Sequence, residues 1–126
     1  MNVDALLAEI KALPGFAEHV GMLLVHNGVV RGWSRAGHKA VEAVSIRLDR
    51  ERLEAIRREV ESRPGIFAAR AEGREGRFLP GDDILLLVVA GDVRENVRAA
   101  MEEFLERAKS EAVAKTEHPA EELPAN

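Results

Sequence analysis

Nine basic side chains, Arg31, Arg35, His38, Lys39, Arg74, Arg77, Arg94, Lys109 and Lys115, stand near the ends of predicted strands, on a glycine-containing loop and on the last predicted helix. Arginine forks hold phosphate and carboxylate oxygens in pairs, so a local cluster of these residues would make an anion site whatever the net charge. Arg94 carries the sharpest signal. It falls in the first turn of a helix, where a cation opposes the macrodipole but free backbone N–H groups welcome an anion. For any one of these cations taken alone, solvated surface charge is the plainer reading.

Other chemistries lack their residues. The absence of cysteine excludes disulfides, thiolate nucleophiles and cysteine metal sites. His19, His26, His38 and His118 have no HExxH or similar spacing, so no metal site is expected. None of Ser34, Ser45, Ser62 and Ser110 stands in a G-x-S-x-G elbow. The glycines form neither a Walker nor a dinucleotide fingerprint, and no cofactor is expected.

The 126 residues, 46% of them hydrophobic, suffice for one core and are short for two. A single domain over residues 1–117 is expected, followed from His118 to Asn126 by a Pro-, Glu- and Ala-rich disordered tail. The net charge is −4 although 14 of the 18 cations are arginine, which argues against global attraction to nucleic acid. Trp33 and four phenylalanines are too few aromatics for a single-strand stacking platform. No stretch approaches the roughly 20 apolar residues of a membrane span. Asp4 and Glu9 occupy the region where a signal peptide carries positive charge, so a cytoplasmic location with no membrane partner is expected.

Helical spacing of Leu6, Leu7, Ile10 and Leu13 predicts a first helix, stopped by Pro14-Gly15. A buried strand follows from Val20 to Arg31, with Gly28 marking a bulge or close approach. Gly32 to Lys39 has no period and reads as a mobile loop. Ala40 to Leu48 alternates as a second strand, and Asp49 caps a helix to about Glu61 on the stripe Leu53, Ile56 and Val60. A third strand from Ile66 to about Ala71 leads through a charged, glycine-punctuated stretch to the apolar run from Ile84 to Ala90, the central strand. Asp92 and Glu95 suggest a capped start for a last helix bearing Val97, Met101, Phe104 and Leu105. The order α-β-β-α-β-β-α predicts an α+β fold, a mixed and mainly antiparallel sheet with helices packed on it.

Several of these cations fall in patterns that resemble a known family. Gly28-Val29-Val30-Arg31 looks like that family's glycine, any residue, Val-Arg at the end of its first strand, and Arg74 to Asp82 looks like its Arg-x-Gly-x-Leu-x-x-Gly-Asp/Glu stretch. Val93-Arg94 looks like the His-Arg that opens its last helix, with Val93 in place of the histidine. The chain thus resembles, over roughly residues 20 to 117, the large catalytic subunit of molybdopterin synthase. The resemblance places a catalytic helix-borne lysine on Lys109 without a gap, and a second lysine on Lys115 if one residue is deleted. Ala112-Val113-Ala114 replaces the family's proline and aromatics, and Ile46 to Asp49 lacks its Glu-His-Tyr.

The resemblance implies sulfur transfer from the thiocarboxylate of a small ubiquitin-like carrier ending in Gly-Gly to a cyclic pyranopterin monophosphate. It further implies a homodimer in which Arg31 and Arg94, with Arg74, bind anionic groups. Lys109 would be the catalytic amine supported by a mobile Lys115, and His38 and Lys39 would close over the substrate. The large apolar surface of the central strand suggests that a partner covers part of the sheet. A non-catalytic paralogue, binding a partner or sensing an anion, is the competing expectation, favoured by the missing pocket residues.

Overall fold

The run from Ile84 to Ala90 is apolar without alternation, which suits a strand only when both of its faces are buried. The computed structural model, which describes residues 1–120, meets that demand. Helices α1 (Val3–Lys11) and α2 (Phe16–His19) precede strands β1 (Met22–Val29) and β2 (Val41–Leu48). Helix α3 (Arg50–Glu61), strands β3 (Ile66–Gly73), β4 (Gly76–Phe78) and β5 (Asp83–Gly91) and helix α4 (Arg94–Arg107) follow. A π-helical turn (Ala108–Ala112) then leads into β6 (Val113–Pro119). Two three-stranded sheets form, ordered β1-β5-β3 and β4-β2-β6, with every pairing antiparallel among the described residues.

Side chains of β5 alternate between two cores. Leu85, Leu87 and Val89 pack against Leu53, Ile56 and Val60 of α3 and Val97, Met101 and Phe104 of α4. Leu86, Val88 and Ala90 pack against Leu6 and Ile10 of α1. A third cluster, Val30, Val41, Val44, Ile46 and Phe78 with Ile84 and Val113 against it, joins the second sheet to the first. Helices of the same chain therefore cover β5 on both faces. The apolar run gives no physical reason for a partner to cover the sheet, contrary to expectation.

Local signals set most element ends. Asn2 and Asp49 cap α1 and α3 through side-chain oxygens that accept from Ala5 N and Arg52 N, each at 3.0 Å. Asp92 does not cap α4: its Oδ1 accepts from Val93 N at 2.6 Å and Asn96 Nδ2 at 2.9 Å, and the cap position falls on Val93. Two strands go beyond the sequence reading. The short β4 lies in the charged stretch, and β6 runs along β2 to Pro119, with His118 paired to Ala43. His118 and Pro119 are thus strand residues rather than the start of a disordered tail; residues 121–126 of that expected tail lie outside the described residues.

Ion pairs tie α3 to α4 and brace the π turn. Arg107 bonds Glu103 at 3.2 Å and Glu111 at 2.8 Å and also reaches Glu59, while Arg52 pairs with Glu111 and Arg63 with Glu103 at 2.8 Å. Bonds from Arg107, then from Arg52, pull the Glu111 carboxyl from its ordinary 4.5 down to about 2. A depressed carboxylate stabilises the fold above its unfolded value, and that contribution is lost as pH falls through the folded one. Between pH 4.5 and 2 the melting temperature of the wild type should therefore fall more steeply than that of Glu111→Gln; parallel curves would show that the pairs contribute nothing. In the core, Phe104→Ala should cost about 3–5 kcal/mol, read as a lower urea midpoint at unchanged slope.

Candidate functional site

Where the two sheets meet, beside the β1–β5 register shift, a cavity of about 610 Å³ opens. Strand β1 lines it with His26, Asn27, Gly28 and Val29, and the chain beyond adds Arg31 and Arg35. Ile46, Ile84, Leu85 and Val113 give an apolar wall, and the π turn and β6 contribute Lys109 and Lys115. The expected irregularity at Gly28 is present: Gly28 pairs with Leu85 but Val29 with Asp83. A Cβ at Gly28 would lie 3.3 Å from Leu85 Cβ and 3.4 Å from His26 Nε2, tighter than a packed interior accommodates without movement.

Four cations thus face one space. Among the described residues none of Arg31, Arg35, Lys109 and Lys115 forms an ion pair, whereas arginines of α3, β3 and α4 such as Arg57, Arg70 and Arg107 do. Among the described residues no carboxylate lines the cavity. Lys109 is exposed by surface area, yet loss of hydration is the largest cause lowering its amine below the usual lysine range, followed by repulsion from Lys115, Arg31 and Arg35. We weight the second cause more heavily, because an amine with solvent access is less desolvated than a buried one while the like charges remain close. His26 is lowered as well, first by burial and then by Lys109.

The remaining residues expected at the site divide. His38 packs at a 32° tilt against Trp33 with centroids 4.6 Å apart, and the Arg31 guanidinium lies 4.7 Å over the same indole, so His38 is linked to the cavity through Trp33 and Arg31. Lys39 is held by its backbone, whose O accepts from Ser34 N at 2.7 Å and whose N donates to Ser34 Oγ at 3.0 Å. With Trp33 bridged to Ala40, the glycine loop, expected to be mobile, carries a hydrogen-bonded turn. Neither His38 nor Lys39 lines the cavity.

Arg74 and Arg94 lie elsewhere. Arg74 packs 4.8 Å over the Phe78 ring, donates to Asp83 O at 3.1 Å and borders a separate cavity with Arg50 and Glu72. Arg94 does open α4, but its side chain is 76% exposed and pairs with Glu95 at 3.2 Å. Helical rise separates it from Lys109 by about 20 Å. It stands at the Gly91 end of β5 while the cavity sits at the Leu85 end, so within one chain Arg94 cannot share an anion with Arg31 or Lys109. Lys115 also differs from expectation: paired opposite Ile46 in β6, it is fixed by strand hydrogen bonds rather than mobile.

Sequence reasoning passed over two lining residues. Arg35 stood among the basic residues without a role, and His26 was weighed only as a metal ligand. The available signal for His26 was its parity: it lies two residues before the bulged Gly28, on the same strand face.

A family model described as MoaE protein matches residues 1–111. The chain belongs to the MoaE family, that of the molybdopterin synthase large subunit. Solved structures share its fold. Molybdopterin synthase from Staphylococcus aureus is 20% identical with a TM-score of 0.77, over 97% of this chain and 88% of that one. A molybdopterin biosynthesis MoaE protein from Burkholderia ambifaria is 23% identical with a TM-score of 0.72, over 98% and 86%. A complex of subunits 1 and 2 of the molybdopterin-converting factor of Helicobacter pylori is 21% identical with a TM-score of 0.67, over 97% and 86%. No curated protein sequence is significantly similar.

The clustered charges give a direct test. Replacing Lys115 by Met removes a like charge, so the Lys109 amine should titrate closer to the ordinary 10.5 in side-chain NMR. An unchanged Lys109 titration would mean that the two amines do not share the cavity.

Proposed function

We propose that this chain is the large subunit of a molybdopterin synthase, taking sulfur from the thiocarboxylate at the Gly-Gly end of a small ubiquitin-like carrier and passing it to a pterin phosphate. The carrying observation is the cavity in which Lys109, Lys115, Arg31 and Arg35 converge with no carboxylate among the described residues. Membership of the MoaE family supports the reading, as does the two-subunit complex that the Helicobacter pylori neighbour forms.

The chemistry suits the residues. A carboxylate-type leaving group and a phosphate must be neutralised together, and guanidinium forks do this by paired hydrogen bonds. An amine held below its ordinary range has a larger unprotonated fraction near neutrality, so Lys109 can serve as base, acid or transient nucleophile. Lys115, set by β6, depresses Lys109 and adds positive charge at the anion. The apolar wall of Ile46, Ile84, Leu85 and Val113 limits water around the reacting groups.

The homodimer belongs to this proposal and rests on family resemblance. Arg94 enters the site only if a second copy carries it there. A non-catalytic, anion-sensing module is the second reading, favoured by Ile46 on the cavity wall, within the segment that lacks the family's Glu-His-Tyr.

Single-turnover sulfur transfer with saturating thiocarboxylated carrier separates the two. Lys109→Ala should slow the step by roughly a hundredfold or more with the fold intact. Lys115→Ala should weaken it and move its pH profile upward, because Lys109 then keeps its proton to higher pH. A wild-type protein without turnover would favour the sensing module.

A further inference from the structure

His26 has no part in the reading above, yet its geometry is unusual. Among the described residues, Nε2 of His26 is the buried side-chain atom left without a hydrogen-bond partner. It is sealed against Gly28, whose missing Cβ leaves room for the ring to lie along β1. The same ring lines the cavity. An imidazolium would bury a charged, unpaired N–H at Nε2, and this burial together with the neighbouring Lys109 favours the neutral ring.

The surroundings are charged in one direction. Lys109 faces His26 from the π turn, Arg31 and Arg35 from the chain after β1, and Lys115 from β6; β5 offers only Ile84 and Leu85. Beside Lys109, whose amine is depressed, His26 is the cavity group whose charge can change with pH.

We propose that His26 is a binding residue that couples anion capture to proton uptake: an anion entering the cavity docks beside the His26 ring, and the imidazole takes a proton from solvent as it does so. The neighbouring cations oppose that proton when the cavity is empty. An anion offsets their repulsion and adds attraction at close range, enough to move a titration by about one unit or more. By linkage the anion binds more tightly as pH falls through the range in which His26 titrates. The inference rests on the proposed anion-binding role of the cavity, and it holds whether or not sulfur is transferred.

Sulfate tests it, since sulfate does not itself titrate between pH 5 and 8. His26 should be followed by side-chain NMR with and without sulfate, and sulfate affinity measured across that range for the wild type, His26→Gln, His26→Phe and His38→Gln. The expected result is an upward move of the His26 midpoint on adding sulfate, with roughly tenfold tighter binding at the acidic end. This dependence should be flattened in both His26 variants and kept in His38→Gln. No sulfate-induced movement of His26, through lack of binding or lack of coupling, overturns the proposal, as does an unchanged pH dependence in the folded His26 variants. An inert sulfur-transfer assay beside a positive sulfate result would remove the synthase reading and leave this one standing.

Discussion

Double-sided burial of β5 is the constraint on which the rest of the molecule depends. A strand with Leu85 to Ala90 essentially inaccessible on both faces needs helices on each side and a strand on each edge. The helices are α1 on one face and α3 with α4 on the other, and the strands are β1 and β3. That arrangement sets β1 against β5 in a register that fails only at Gly28, where the second sheet crosses and the cavity forms. The fold thereby produces an opening where the β1–β5 pairing is irregular.

Charge is distributed in two regimes. Along α3 and α4, arginines sit among glutamates and make the exposed networks that individually contribute little stability but together fix the π turn. In the cavity, four cations are brought together with no carboxylate among the described residues, an arrangement that costs free energy through like-charge repulsion. The bracing of Arg107 and Glu111 on either side of Lys109 connects the two, since the same turn carries the amine. Lys109 is held in a repulsive field by ion pairs whose members do not line the cavity.

How much of this was legible follows from the range of each signal. The cap of α3, the Leu53, Ile56 and Val60 stripe, the glycine bulge and the burial of β5 are local or periodic, and the sequence displays them directly. Strand β6 escaped because Ala114 to Glu117 are mostly polar residues on an edge strand, where one face meets water and the apolar period fades. Arg94 shows the limit of a local rule. It does open a helix, but only the sheet register reveals that this end points away from Lys109. His26 was hidden for the same reason, as its meaning depends on packing over Gly28 and on a lysine more than eighty residues later.

The central claim is that the unpaired cations of the β1–β5 cavity form one anion site. Crystals grown in sulfate test it most directly. The account predicts an ion inside the cavity within hydrogen-bond reach of Arg31, Lys109 or Lys115. Sulfate found only at Arg94 or Arg74, with an ion-free cavity whose basic side chains point to solvent, would contradict it.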